Sequence, residues 1–253
     1  MWKKWKIVSA FILLSIFMVA CNRAKTGLID YYSLKNETVL EELIQYKGEE
    51  VIYDGISFQL KEYLYDKETG CGYCLFTARN QDGTKLTKEY FEGNNEKCYG
   101  FELRASCSSD WDVEETKDGI SFYLEFGGAQ GWVENGTQDM VCLFECHNRS
   151  ETLGKFLLED CTKEKKKFKV EEVGITVTPL SIKMKKDLKD KEQMILKYED
   201  GKKQYLVKKG KYVGLKGGTA MEGGAGTVYP LKSGCDTDKL ESIILDGKEY
   251  QAE

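Results

Sequence analysis

The stretch Asp118-Gly-Ile-Ser-Phe-Tyr-Leu-Glu-Phe126 carries the pattern that decides the fold of this chain. Its Asp-Gly pair is typical of a tight hairpin turn, and the residues that follow are apolar at every second position. A period of two is expected of a strand with one buried face. The same alternation recurs at residues 56–61, 101–107 and 167–170, and further Asp-Gly pairs begin at Asp54, Asp82, Asp200 and Asp246. We therefore predict an all-β fold built of antiparallel sheets, most simply a β-sandwich.

The 253 residues leave room for two such sandwiches. The lysine-rich segment 162–169 is the best boundary, either as a solvated linker or as a basic edge strand. We predict one β-sandwich domain over residues 49–161 and a smaller one over 168–253. Within the second, Pro179 is expected to mark a bulge or kink in an edge strand, because proline cannot donate to a sheet ladder.

The first 21 residues resemble the signal peptide of a bacterial lipoprotein. A cationic start at Lys3, Lys4 and Lys6 precedes an apolar run that ends Met18-Val-Ala-Cys21. This ending resembles a lipobox, although that family usually has leucine where Met18 stands. The resemblance implies cleavage after residue 20, lipidation and palmitate on Cys21, and a membrane anchor on the extracytoplasmic face. Residues 21–48 would then form a tether with one short helix.

Charge and composition exclude several function classes. The chain has 37 basic and 42 acidic residues, and removing the three lysines of the signal leaves 34 against 42, a formal charge of −8. Nucleic-acid binders normally present a basic surface, so that partner is not expected. The single histidine, His147, excludes sites that need two histidines of this chain. We expect no cofactor.

Eight cysteines remain if Cys21 is lipidated, and we expect them to serve as disulfides or as buried thiols. They are Cys71, Cys74, Cys98, Cys107, Cys142, Cys146, Cys161 and Cys235. Within this set, Cys142 and Cys146 would share one face of a strand and lie too far apart to bond to each other.

The motif Cys71-Gly-Tyr-Cys74 has the spacing of a thiol–disulfide active site. A thiol–disulfide oxidoreductase is therefore the most specific enzyme hypothesis that the sequence offers. That chemistry needs the first thiol at a helix N-terminus. The residues after the motif instead predict a strand and a hairpin. A zinc site using Cys71, Cys74, Cys142 and Cys146 or His147 is also weaker than a structural role, because the second half lacks zinc-ligand spacing. We predict no catalytic residue and no metal site.

Some loop residues could bind ligands. Trp111 and Trp132 lie in polar surroundings and could stack on sugars or pack beneath a loop. Asp110 with Asp112, and Asp236 with Asp238, are carboxylate pairs predicted in loops, without the pattern of a calcium-binding EF-hand. The glycine-rich run from Gly214 to Gly226 lacks the ending of a phosphate-binding loop and predicts a long loop.

The stretch Val51-Ile-Tyr-Asp-Gly-Ile-Ser-Phe58, continuing to Phe76, resembles the first hairpin of uncharacterised Gram-positive envelope proteins, and residues 174–182 resemble the start of the domain that follows in them. Those proteins have immunoglobulin-like sandwich domains, which also occur as ectodomains of anti-sigma factors. The resemblance implies a cell-envelope location. We therefore expect a lipid-anchored, non-catalytic binding or structural module with an unknown protein or glycan ligand. The alternatives are a carbohydrate-binding surface protein and an extracytoplasmic thiol–disulfide oxidoreductase.

Overall fold

The computed structural model describes residues 27–32, 34, 37–92, 99–103, 105–131, 140–146, 151–162, 165–170, 173–185, 188, 190–220 and 226–253. The predictions for the signal peptide, Cys21, Cys98, Trp132 and His147 fall outside these residues. No helix within the described ranges has the length and apolar character needed to cross a bilayer.

The described chain consists mostly of short strands. The three helices are α1 (Leu28–Tyr32), α2 (Glu37–Glu41) and α3 (Glu89–Glu92). The strands before residue 160 are β1 (Gln45–Tyr46), β2 (Glu50–Tyr53), β3 (Ile56–Asp66), β4 (Cys71–Asn80), β5 (Tyr99–Leu103), β6 (Ala105–Thr116), β7 (Gly119–Gly131), β8 (Met140–Cys146) and β9 (Glu151–Leu158). Those after it are β10 (Lys166–Val170), β11 (Val173–Val177), β12 (Ser181–Met184), β13 (Gln193–Tyr198), β14 (Lys203–Lys208), β15 (Lys211–Tyr212), β16 (Thr219–Ala220), β17 (Thr227–Pro230), β18 (Leu240–Leu245) and β19 (Lys248–Gln251).

The first core lies between two antiparallel sheets. Strands β1, β3, β4, β7 and β6 are neighbours in that order, and β2 also pairs with β3. The smaller sheet has the order β5-β8-β9. Phe58, Phe76 and Phe122 from the large sheet belong to the same buried cluster as Phe156 and Leu158 of β9. Apolar side chains from facing sheets therefore form this core, as in a sandwich.

The second core also lies between two sheets, of order β10-β11-β12-β17-β16 and β15-β14-β13-β18-β19. Ile175, Ile182 and Tyr229 come from the first sheet, and Leu196 and Ile243 come from the second. The prediction of an all-β sandwich fold is confirmed. The two cores draw on residues 56–161 and 168–245 respectively, while the division into two domains stays a prediction.

A third apolar cluster covers the outer face of the six-stranded sheet. Leu28, Leu40 and Ile44, from α1 and the segment around α2, are buried there with Tyr73 and Tyr123 of the sheet. The described part of the segment predicted as a tether therefore packs against the sheet, and it holds two short helices instead of one.

A bulge in β3 changes which of its residues face the first core. The register between β3 and β4 shifts between Leu60 and Glu62. Phe58 before the bulge and Tyr63 and Tyr65 after it belong to the first core, while Leu64 faces the third cluster. The extra residue reverses the parity of alternation, so the positions that face the first core change from even to odd numbers. Leu64 is buried on the other face because the third cluster covers that face.

Two of the Asp-Gly pairs form the central residues of hairpin turns, whereas at Asp118-Gly119 the turn lies over residues 117–118 and Gly119 already pairs with Thr116. Asp54 and Gly55 have φ of 50° and 76° between β2 and β3, and Asp246 and Gly247 have φ of 48° and 84° between β18 and β19. Two successive positive φ angles are typical of the type I′ turn, which matches the twist of a hairpin. The hairpin predicted around Asp200-Gly201 is also present, as β13 and β14.

Four local predictions are settled by the strands. The expected bulged edge strand around Pro179 is wrong: β11 and β12 pair antiparallel, and Thr178 N donates to Ser181 O at 2.9 Å across a turn. The single strand predicted over residues 101–107 is also wrong, because β5 and β6 belong to different sheets. Asp110 and Asp112 lie in β6 and not in a loop. The basic segment forms the edge strand β10, as one of the two alternatives predicted.

Candidate functional site

An open cleft of about 900 Å³ lies where the segment around α2 meets the turns and loops of the second sandwich. The segment around α2 contributes apolar and polar side chains, the turn after β13 contributes charged ones, and the loop before β18 closes the far side. The lining residues are Val39, Glu42, Leu43, Gln45, Cys161, Pro179, Tyr198, Asp200, Lys202, Lys203, Gln204, Cys235, Asp236, Thr237, Asp238 and Lys239.

The rim of this cleft is charged and partly neutralised. Lys202 Nζ lies 2.8 Å from Asp200 Oδ2, and Lys239 Nζ lies 2.6 Å from Asp236 Oδ2. Glu42 and Asp238 are exposed and make no ion pair with another described residue. The rim therefore retains two carboxylates that can accept hydrogen bonds from a polar ligand.

The floor of the cleft holds a tyrosine and a buried cysteine. The hydroxyl of Tyr198 lies 2.5 Å from Gln204 Oε1 and 3.5 Å from Cys235 Sγ. Burial raises the pKa of the Cys235 thiol to about 12, and it raises the pKa of Cys161, at the opposite wall, to about 12. Both thiols are therefore protonated at neutral pH, and a thiol rather than a thiolate is a poor nucleophile.

The Cys71–Cys74 motif forms part of a strand, as predicted. Both residues are buried in β4 and lie three positions apart, so that they point to opposite faces. Cys74 belongs to the first core, whereas Cys71 contacts Val228 of the second sandwich. Burial, reinforced by the nearby carboxylate of Asp66, raises the pKa of the Cys71 thiol. A thiol–disulfide active site needs an exposed thiolate, and Cys71 does not provide one.

The glycine inside this motif has a packing role. A Cβ on Gly72 would lie 2.3 Å from Phe126 Cζ and 2.7 Å from the carbonyl oxygen of Leu64. Strand β4 therefore needs glycine there in order to pair closely with β3 and to pack beneath Phe126.

Three other cysteines lie in strands of the first half of the chain. Cys107 lies in β6, and Cys142 and Cys146 lie four residues apart on β8, as the strand prediction requires. Among the described residues there is no group of three cysteine, histidine or carboxylate side chains that could hold a metal ion. The weak zinc hypothesis gains no support from these positions.

Trp111 lies in β6 and not in a loop. Its half-buried ring packs against the first core, with its centroid 6.4 Å from that of Phe76. Beside it, Asp112 accepts a hydrogen bond from the hydroxyl of Tyr31, and that bond lowers the pKa of Asp112. Asp236 and Asp238 do lie in a loop, where they line the cleft and Asp236 pairs with Lys239. Neither carboxylate pair forms a calcium site in this arrangement.

Sequence reasoning missed a cationic contact between the two halves of the chain. Lys216 Nζ lies 2.8 Å and 2.7 Å from the two carboxylate oxygens of Glu125. The same ammonium lies 4.9 Å from the ring centroid of Tyr32 and 4.8 Å from that of Tyr73. This arrangement combines an ion pair with cation–π contacts. Its signal in the sequence is a lysine inside the glycine-rich run, a run that by itself predicts only a loop.

Known proteins offer few similarities to this chain. No protein-family model and no curated protein matches this chain. One solved structure is similar, described as the crystal structure of the conserved domain protein from Bacillus anthracis. It is 11% identical with a TM-score of 0.38, over 88% of this chain and 84% of that one.

Proposed function

We propose that this protein is a lipid-anchored, extracytoplasmic binding module without catalytic activity, and that the large cleft beside α2 is its ligand site. The observation that carries the proposal is an open cleft of about 900 Å³ with a polar rim, next to thiols that are buried and protonated. Concave sites with a few convergent polar groups are the usual places for ligand binding.

The anchor is supported by the sequence Met18-Val-Ala-Cys21 after a cationic, apolar start. A lipoprotein carries two or more acyl chains at such a cysteine, which suffices for stable membrane attachment. Metabolic labelling with palmitate should mark the wild-type protein, and Cys21→Ser should lose both the label and the membrane association. A labelled Cys21→Ser protein would contradict the anchor.

The ligand site is tested by retention on purified peptidoglycan, chosen because it is the abundant polymer of a bacterial envelope. The double variant Glu42→Lys with Asp238→Lys reverses both unpaired carboxylates of the cleft. We expect it to be retained at least fivefold less than wild type, since hydrogen-bond acceptors become cations.

A matched control separates the cleft from net charge. Glu41 is adjacent to Glu42 but does not line the cleft, and Asp190 is exposed elsewhere. The double variant Glu41→Lys with Asp190→Lys changes the charge equally and should keep wild-type retention. Equal loss in both double variants, or no retention of the wild type, would refute the proposed site.

The thiol–disulfide alternative ranks lower because the Cys71 thiol is fully buried. Its test is insulin reduction, where Cys71→Ser is expected to match wild type. One specific observation favours the carbohydrate alternative: the exposed Tyr205 lies beside a second cleft.

A further inference from the structure

The second cleft, of about 530 Å³, is lined by residues of β14, of the segment from Val213 to Lys216 and of the loop after β17. We call it the lysine cleft. Its walls include Tyr32, Tyr205, Val213, Lys216, Lys232 and Ser233. It is separate from the site of the proposed function, although Gln204 borders both clefts.

One wall of the lysine cleft is apolar and exposed. The side chain of Tyr205 is 42% exposed and that of Val213 is 45% exposed. Gly214, which follows Val213, must be glycine because a Cβ would lie 2.4 Å from the carbonyl oxygen of Tyr205. The close approach of these two segments therefore fixes the aromatic ring at the edge of the cleft.

The charge of the lysine cleft is positive. No acidic residue is among its described lining, in contrast to four at the large cleft. Lys216 is neutralised by Glu125, but Lys232 is exposed and makes no ion pair with a described residue. Outside the described lining, Lys208 Nζ lies 5.4 Å from the ring centroid of Tyr205. A chain with a formal charge of −5 thus presents a locally cationic cleft.

Hydrogen-bonding groups complete the cleft. Gln204 Nε2 lies 3.4 Å from the carbonyl oxygen of Ser233, which holds the amide at the border of the cleft. Ser233 lines the same space as Lys232. An aromatic face, a cation and hydroxyl or amide groups in one open cleft suit a ring that has an apolar face, hydroxyls and a negative charge.

We propose that the lysine cleft binds an anionic sugar, with the apolar face of the sugar ring on Tyr205 and its carboxylate or phosphate on Lys232. Carboxylate and phosphate are two sources of the same anionic chemistry. Both accept charge-assisted hydrogen bonds from an ammonium group.

The experiment is calorimetric titration of the full chain with four probes. Trigalacturonate is compared with its methyl ester, and glucose 6-phosphate is compared with glucose, so that each pair differs in charge. We expect each anion to bind at least fivefold more tightly than its neutral counterpart, and a larger ratio in one pair identifies the source of the charge. High salt should reduce the ratio by screening.

Variants assign binding to this cleft. Lys232→Ala should weaken binding of the preferred anion about fivefold and abolish the preference over the neutral sugar. Tyr205→Ala should weaken the charged and neutral sugars alike. The matched controls are Lys117→Ala and Tyr46→Ala, which remove an exposed lysine and a tyrosine that is 72% exposed elsewhere.

Absence of anion binding by the wild type would overturn the proposal, as would equal affinity for charged and neutral sugars. Equal weakening by Lys117→Ala and Lys232→Ala would also overturn it, because binding would then follow net charge. The large-cleft variants Glu42→Lys and Asp238→Lys should leave these titrations unchanged, so failure here is distinguishable from failure of the proposed function.

Discussion

The hydroxyl of Ser181 donates a hydrogen bond to Oδ2 of Asp66 at 3.2 Å, across 115 residues of sequence. Asp66 is fully buried at the end of β3, and Ser181 begins β12 in the second sandwich. Thr69 donates its hydroxyl to the same oxygen at 2.6 Å. A buried carboxyl group thus joins the two halves of the chain through hydroxyl groups.

The stability of the protein should depend on pH through Asp66. Burial raises the pKa of this carboxyl, Asp160 adds to the rise, and the bonds from Thr69 oppose it. A raised folded-state pKa contributes stability that is fully present below the unfolded pKa and is lost as pH rises through the folded value. The free energy of unfolding of wild type minus that of Asp66→Asn should therefore increase from pH 7 to pH 4.

Urea denaturation at each pH measures this difference. Asp190→Asn, at an exposed carboxyl, is the control, and its difference from wild type should change less over the same range. A difference between wild type and Asp66→Asn that stays constant, or falls on acidification, would show that the buried carboxyl does not titrate with folding.

Tyr73→Phe should stabilise the protein by about 1 kcal/mol, because an unbonded buried hydroxyl carries a desolvation penalty. The hydroxyl of Tyr73 is buried and has no hydrogen-bond partner among the described residues. The control is Tyr63→Phe, since the hydroxyl of Tyr63 accepts a bond from Glu159 N at 3.3 Å. That substitution should destabilise by about 1 kcal/mol. Thermal unfolding of both variants checks the opposite signs, and destabilisation by Tyr73→Phe would be the contrary result.

Gly72→Ala should destabilise the fold by about 2–3 kcal/mol, because overpacking forces strands or side chains apart. Its new Cβ would lie 2.3 Å from Phe126 Cζ. Gly174→Ala is the matched control in another strand, where no heavy atom lies within 4 Å of the added Cβ. The control should change stability by less than about 0.5 kcal/mol. Equal effects in denaturation curves would show that the Cys71–Cys74 motif does not pack this tightly.

Local pattern was enough to predict the sandwich class. The strands over residues 56–60 and 120–126 and the turn at Asp54-Gly55 depend on neighbouring residues, and the structure confirms them. The expectation of a single buried face is wrong for these strands, because Ser57 and Tyr123 at the alternate positions are buried as well. The sequence does not distinguish the hairpin turn at Pro179 from a bulge in one strand, because both shift the parity of alternation. Which strands share a sheet was also not predictable, as β5 and β6 illustrate, since pairing is decided by distant segments.

The clefts could not be predicted because their residues come together only in the folded chain. Asp236 and Asp238 were recognised as a loop pair, but their position opposite α2 depends on the packing between the halves. Lys216 and Glu125 are 91 residues apart, and nothing in the sequence around either one indicates the other as its partner. Conversely, Cys71 and Cys74 do form a motif by spacing, yet burial on opposite faces gives them separate packing roles.

The central claim is that this protein acts by binding and that its Cys71 thiol is structural. The most direct measurement is alkylation of the native and the urea-unfolded protein, followed by mass-spectrometric counting of modified cysteines. Because Cys71, Cys161 and Cys235 are buried with raised pKa values, they should be modified only after unfolding. Rapid modification of Cys71 in the native protein would reveal an accessible thiolate and contradict the account.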